Sequence, residues 1–359
     1  MRINTTKRDQ NGLAAIIVAT IIMIILSLIA LGFGRIMRRE QRQSLDRSLS
    51  TQAFYAAESA VNEAVKLIQS ETNPYTANKT SCGADATFTT GTIDSNLLSS
   101  YTCLLIDQSP PTLEYTQGSI STNSSKTIPV RGKNNETIGR LSVSWEDPTL
   151  STTTTGLSST PVFSCPSPVA LPKFTSWNSK TPGMIRLDII PADTLDRASL
   201  QTKTASFYLY PADKNCGSAV SSTTYSGHIG DTNKGQLVLV KCDPAVTTRR
   251  DCELSINMDG SYSNKLYYIR VRSVYRSSDM TVKIFDTAST PNQLNISGAQ
   301  VQIDSTGKVN DVLRRIQVRV PVSKSYAIPD YAIQTTDKIC KLLQIVPDPI
   351  NTVDDGCTP

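Results

Sequence analysis

The chain has 359 residues and a formal net charge of +5, enough for one to three domains with a packed core. The charge is unevenly placed: nine Lys/Arg face six Asp/Glu through Thr72, and the remainder carries 27 basic and 25 acidic groups. A globular part so nearly neutral has no overall electrostatic footprint for nucleic acid. A single histidine, His228, and the absence of any Cys-x-x-Cys pair argue against zinc sites of the usual spacing.

The chain opens with a short basic leader containing Arg2, Lys7 and Arg8. From Leu13 to Gly34 there is no charged residue, a run long enough to cross a bilayer as a helix. A secretory signal would have a shorter apolar core and a small-residue cleavage site after it, so this run reads as retained. The helical pattern continues beyond it. Leu45, Leu49, Ala53, Ala56, Ala60, Ala64 and Leu67 recur at steps of three or four and mark one apolar face of an amphipathic stalk. No Gly or Pro interrupts between Arg35 and Asn73, and the helix is expected to end near Asn73-Pro74, because the residue before proline is pushed out of the α region. The whole element, about 85–90 Å long at 1.5 Å per residue, is a membrane span fused to a stalk. Arg35, Arg38, Arg39, Arg42 and Arg47 outnumber the basic residues of the leader, so a bare positive-inside count opposes export of the following domain. The cysteines of that domain argue for export and outweigh the count.

Residues 75–126 are rich in Thr, Ser, Asn and Gly and read as loops, with a short apolar run at 104–106. Alternating runs at 127–131 and 137–145, separated by Gly132-Lys133-Asn134-Asn135, predict a β-hairpin. Residues 149–160, TLSTTTTGLSST, form a Ser/Thr linker or surface excursion between Pro148 and Pro161. Strand-like runs follow at 184–190, 206–210, 236–241, 253–258, 266–275, 280–285, 299–304 and 313–322, with turns expected at Asp259-Gly260 and at 305–308. Ile269 and Val271 face one way and Arg270 and Arg272 the other; Ile316, Val318 and Val320 oppose Arg315, Gln317 and Arg319. The fold class is therefore α+β: a long N-terminal helix followed by a β-rich, mainly antiparallel, disulfide-bonded region. The expected segments are 1–12 as leader, 13–72 as helix, 73–148 as a loop-rich hairpin subdomain, 149–160 as linker and 161–359 as an antiparallel β domain.

All eight cysteines, Cys82, Cys103, Cys165, Cys216, Cys242, Cys252, Cys340 and Cys357, lie beyond the helix. An even number behind a membrane segment reads as disulfides in an oxidising compartment. Roughly a hundred connectivities are open to them; short loops suggest Cys82–Cys103, Cys242–Cys252 and Cys340–Cys357, leaving Cys165–Cys216. No catalytic or metal constellation emerges, and no cofactor is expected. His228 has no nucleophile elbow near it. The run at 304–309 lacks both the first glycine and the Ser/Thr of a phosphate loop, and Asn257-Met258-Asp259-Gly260 is too short for a calcium loop. If the two arginine-bearing strands are neighbours, Arg270, Arg272, Arg315 and Arg319 share an exposed face that could meet DNA phosphates. A solvated face that discourages edge pairing is the plainer reading.

The informative stretch is the helix. A basic leader, Gly12, an uncharged run and an amphipathic stalk, in that order, resemble the type IV prepilin N-terminus. The block from Ala53 to Ala64, AFYAAESAVNEA, with the Arg/Glu-rich stretch before it, is similar to the PilX-type N-terminal pattern of minor pilins. The resemblance covers about the first 70 residues. It implies cleavage by a prepilin peptidase between Gly12 and Leu13 and methylation of the new Leu13 amine. It also implies an assembly helix in which Ile17, Thr20, Ser27, Gly32 and Gly34 meet the membrane or other pilin subunits, with Gly32 and Gly34 as the place for local unwinding, while the alanine face of Ala53, Ala56, Ala60 and Ala64 allows close helix approach and docking of the β domain. Major pilins carry Glu at the fifth mature position, where this chain has Ile17, and its absence fits tip subunits of the GspK/PilX kind. The implied function is a non-enzymatic minor or tip subunit of a type IV pilus or related machine. Its partners would be other pilins, the peptidase, the pilus assembly platform and the cytoplasmic membrane, with a surface ligand or DNA as further candidates. Before assembly it would sit in the cytoplasmic membrane, and afterwards in the extracellular pilus. The competing expectation is a single-pass surface adhesin or receptor that never enters a filament.

Overall fold

The computed structural model describes residues 11–83, 87–88, 92–94, 98–122, 125–148, 177, 181–192, 196, 198, 202–213, 216–225, 236–243, 251–260 and 263–322. The helix α1 spans Asn11–Ile68. It is followed by strands β1 (Thr92–Asp94), β2 (Ser99–Asp107), β3 (Leu113–Ile120), β4 (Lys126–Gly132) and β5 (Arg140–Glu146). Next come β6 (Met184–Pro191), β7 (Ala205–Asp213), β8 (Ser222–Tyr225), β9 (Gln236–Asp243), β10 (Asp251–Met258), β11 (Leu266–Val274) and β12 (Ser278–Phe285). The last are β13 (Gln293–Leu294), β14 (Ile296–Ser297), β15 (Gln300–Val309) and β16 (Val312–Pro321). The leader residues 1–10, the Ser/Thr segment 149–160, His228, Cys165, Cys340, Cys357 and the stretch after Val322 fall outside the described residues.

The chain forms two units. The first comprises residues up to Pro110 together with Gln300–Val322; the second contains Pro111–Ala299. The chain therefore crosses from one unit to the other at Pro110 and at Ala299, and residues 73–148 supply strands to both.

In the first unit, α1 is a single uninterrupted helix of 58 residues, about 87 Å long at 1.5 Å per residue. It ends at Ile68, short of the stop expected at Asn73-Pro74. The chain turns back there: the amides of Ser70 and Tyr75 both donate to the Leu67 carbonyl, at 3.3 and 3.0 Å, so carbonyls freed at the helix end find partners before proline is reached. The C-terminal part of α1 packs on a four-stranded antiparallel sheet of order β1-β2-β15-β16. Its core joins Ala60, Val61, Ala64 and Ile68 of the helix to Phe88, Tyr101, Leu104, Ile106, Val301 and Ile303. Ile316, Val318 and Val320 turn half-buried towards the sheet's covered side, while Arg315 and Gln317 are exposed, as their alternation predicts. The Cys82–Cys103 disulfide ties the segment after the helix to β2.

The second unit holds twelve strands of the described residues, with a principal order β13-β12-β5-β10-β9-β7-β6-β11-β4-β14. Pairings are antiparallel except β7 with β9 and β10 with β8. The predicted hairpin does not form. Its two strands exist as β4 and β5, but β4 pairs with β11 and β14, and β5 with β10 and β12. Strand β11 leads into β12 through Tyr275, Arg276 and Ser277 alone, a link of at most about 14 Å, although several strands at about 4.8 Å spacing separate them in the sheet order. The sheet must therefore curl back on itself. The curl is sealed where Trp145 Nε1 of β5 donates to the Gly183 carbonyl just ahead of β6, at 2.8 Å. One continuous core results, with Ile128, Val143, Leu187, Leu209, Leu254, Ile269 and Val282 fully buried.

Cys242 and Cys252 form a disulfide between β9 and β10, and both are fully buried. Cys216 is disulfide-bonded as well. Replacing Cys242 and Cys252 together by serine is expected to cost about 2–5 kcal/mol, read as a lower melting temperature that reductant no longer changes at this bridge.

Candidate functional site

The region with a distinctive surface is α1. Its side chains from Ile16 to Ser48 are exposed, including Ile17, Ile21, Ile24, Ile25, Leu28, Leu31 and Phe33. It is the one helix among the described residues long and apolar enough to cross a membrane, and none of its apolar window is buried. An apolar helix of this kind needs lipid or other helices around it. The two hydroxyls of its uncharged run are already satisfied: Thr20 donates to the Ile16 carbonyl at 2.8 Å and Ser27 to the Met23 carbonyl at 2.7 Å. Each is bonded within the helix, so neither brings an unpaired donor into an apolar medium. Gly12 and Leu13 lie in the first turn of α1. Gly32 and Gly34 are regular helical residues with open space around them.

Below this exposed half, the face changes character. Ala53, Ala56, Ala57, Ala60, Ala64 and Ile68 are buried against the sheet. Leu45, placed on the same face by periodicity, is exposed, and Leu49 and Leu67 are only half-buried. The sheet does not reach as far as Leu45; its upper end meets the helix where Arg314 Nε donates to Ser50 Oγ at 2.7 Å. Lower down, Tyr101 Oη donates to Glu63 Oε2 at 3.0 Å and Gln69 Nε2 to the Pro321 carbonyl at 2.9 Å. These contacts fix the C-terminal part of the helix, from Ser50 to its end, on the strands.

The residue that sequence reasoning missed is Gly307. The expected turn at 305–308 is in fact the body of β15, and the turn falls at Asn310-Asp311, with Asn310 at φ 50°. Gly307 follows a register break between β15 and β2, and a Cβ there would collide with the Ala53 carbonyl, lie 2.5 Å from the Ala57 nitrogen and 3.0 Å from Ala56 Cβ. Strand backbone thus touches helix backbone, which only glycine on one side and alanines on the other permit. The Ser-Thr-Gly-Lys run gave a turn signal because glycine serves close approach as readily as turning.

The arginine row dissolves. Arg270 and Arg272 are on β11 and Arg315 and Arg319 on β16, strands of separate sheets. Arg270 Nε donates to Ser125 Oγ at 2.9 Å, and Arg272 donates to the Thr122 carbonyl at 3.0 and 2.8 Å, so both hold the link between β3 and β4. Arg315 Nε donates to both carboxylate oxygens of Asp304, at 2.8 and 2.9 Å, and these bonds raise the affinity of Arg315 for its proton. Beside Arg272, Arg186 pairs with Asp188 at 3.1 Å. Among the described residues, no group of three or more His, Cys, Asp and Glu could hold a metal ion.

Residues 11–62, all within α1, match the family model described as PilX N-terminal. No curated protein and no solved structure matches the chain. The match covers the helix alone; together with the exposed apolar surface it makes the N-terminal segment similar to that of type IV minor pilins.

Proposed function

We propose that this chain is a non-enzymatic minor subunit of a type IV pilus or related machine, positioned at the filament tip. The observation that carries the reading is the division of α1: an exposed apolar half over an alanine-faced half that is locked to a sheet. The exposed half serves in lipid before assembly and among neighbouring pilin helices afterwards, since both media reward the same apolar surface. Processing between Gly12 and Leu13 by a prepilin peptidase, and delivery through the pilus assembly platform, follow from this reading. The β-rich units are displayed outside the cytoplasm, where they prime assembly or contact a surface or DNA.

Ile17 supports the tip position. A carboxylate at this depth would be costly in lipid unless a neighbour's amine paired with it, and an isoleucine asks for no such neighbour. The test is copy number. Quantified in sheared filaments of different lengths, the chain is expected at a fixed few copies per filament; copies that scale with length would place it in the filament body.

A further inference from the structure

Resting on the membrane reading of α1, we infer that Arg35, Arg38, Arg39 and Arg42 form a binding stripe for anionic phospholipid headgroups. The uncharged run from Leu13 to Gly34 covers about 33 Å, against a hydrocarbon core of about 30 Å. Arg35 therefore stands at the core boundary, and Arg42 about 10 Å further along crosses the headgroup layer. The spacing of i, i+3, i+4 and i+7 gathers the four into an arc of roughly 100° on one helix face. The helix is unbroken through them, so the arc is set by the backbone, and all four are exposed. Glu40 points to the far side of the helix, and Asp46 stands one turn beyond Arg42.

Planar guanidiniums bind phosphate oxygens in pairs, and arginines at a bilayer surface gain from anionic lipid. Neighbouring copies in one membrane are a poor alternative. The span fixes each copy at the same depth, so a parallel copy meeting the same face brings arginine against arginine; its Glu40 points away from that contact, Asp46 is a single carboxylate against four arginines, and Glu58, Glu63 and Glu71 lie at least about 24 Å higher on the stalk. Anionic headgroups relieve that repulsion, whichever leaflet the stripe meets.

The test takes the full-length protein in mild detergent and offers it an equimolar mixture of phosphatidylglycerol and phosphatidylcholine. Retained lipid is then counted by mass spectrometry of the intact complex. Phosphatidylglycerol is expected to be retained at least about fivefold over phosphatidylcholine, with the preference shrinking as salt rises. The R35Q/R38Q/R39Q/R42Q chain loses the preference, whereas R270Q/R272Q keeps it. Equal retention of the two lipids, or a preference that survives the quadruple change, overturns the inference. A quadruple variant that keeps its lipid preference but leaves the filament fraction also overturns it, in favour of a neighbour's carboxylates. Flotation of the wild-type chain with neutral vesicles separates the stripe from the membrane reading beneath it. Failure to float overturns the membrane reading and the stripe together; flotation with equal lipid retention overturns the stripe alone.

Discussion

Valine at position 307 is expected to lower the melting temperature of the helix-bearing unit by roughly 10 °C or more. The strand backbone at Gly307 is so close to the helix that the first side-chain carbon alone meets the Ala53 carbonyl and the Ala57 nitrogen. These are backbone atoms and cannot rotate aside, so helix or strand must shift. A shift there also disturbs Tyr101 against Glu63 and Arg314 against Ser50, which sit on the same helix–sheet seam. Overpacking a tight interior usually costs about 1–3 kcal/mol, and collision with fixed backbone puts this case at the upper end or beyond. Even alanine should be poorly tolerated, which separates a steric cause from a loss of polarity. Gly217→Ala is the control, because a methyl there meets open space. Thermal melting followed by circular dichroism checks all three; an unchanged melting temperature for Gly307→Val would mean that the helix does not pack on β15 in this way.

The second large effect concerns the apolar half of α1. Replacing Ile22 and Ile25 together by aspartate is expected to remove the chain from the membrane fraction. Each charged residue near the centre of a span costs about 2.5–3.5 kcal/mol for insertion, and the lost isoleucines add to that. Both positions are exposed and lie one turn apart on the helix, so the pair also suffers like-charge repulsion. Because neither touches the rest of the fold, the melting temperature of the globular units should stay the same. Alkaline extraction and flotation give the readout. Undiminished membrane retention would show that the apolar half does not insert.

Much of this was legible in the sequence where the signal is local. An uncharged run from Leu13 to Gly34 leading into alanines at steps of three and four leaves little besides a long helix, and that is what α1 is. Strong period-two runs such as YIRVRSV in β11 located strands and faces correctly, with Ile269 and Val271 fully buried and Arg272 exposed. Strand β3 was missed because, among the described side chains of LEYTQGSI, only Leu113 and Ile120 are fully buried, and a glycine at φ 69° lies inside it. Pairing was the weaker part. Adjacent runs at β4 and β5 looked like a hairpin, yet each found partners far along the chain, which local alternation does not encode. Gly307 was legible only as a turn former, since no local pattern tells a glycine that bends the chain from one that lets a helix approach. The arginines could not be sorted from sequence either. Whether Arg270 and Arg315 face a partner molecule or a nearby oxygen depends on neighbours such as Ser125 and Asp304 in the fold.

The central claim, that α1 is a processed assembly helix, is tested most directly by determining the N-terminus of the protein recovered from sheared filaments by mass spectrometry. A mature chain beginning at N-methylated Leu13 is the expected result. A chain that keeps Met1 and its leader, found only in the membrane fraction and never with filaments, would contradict it and favour a membrane-held adhesin or receptor.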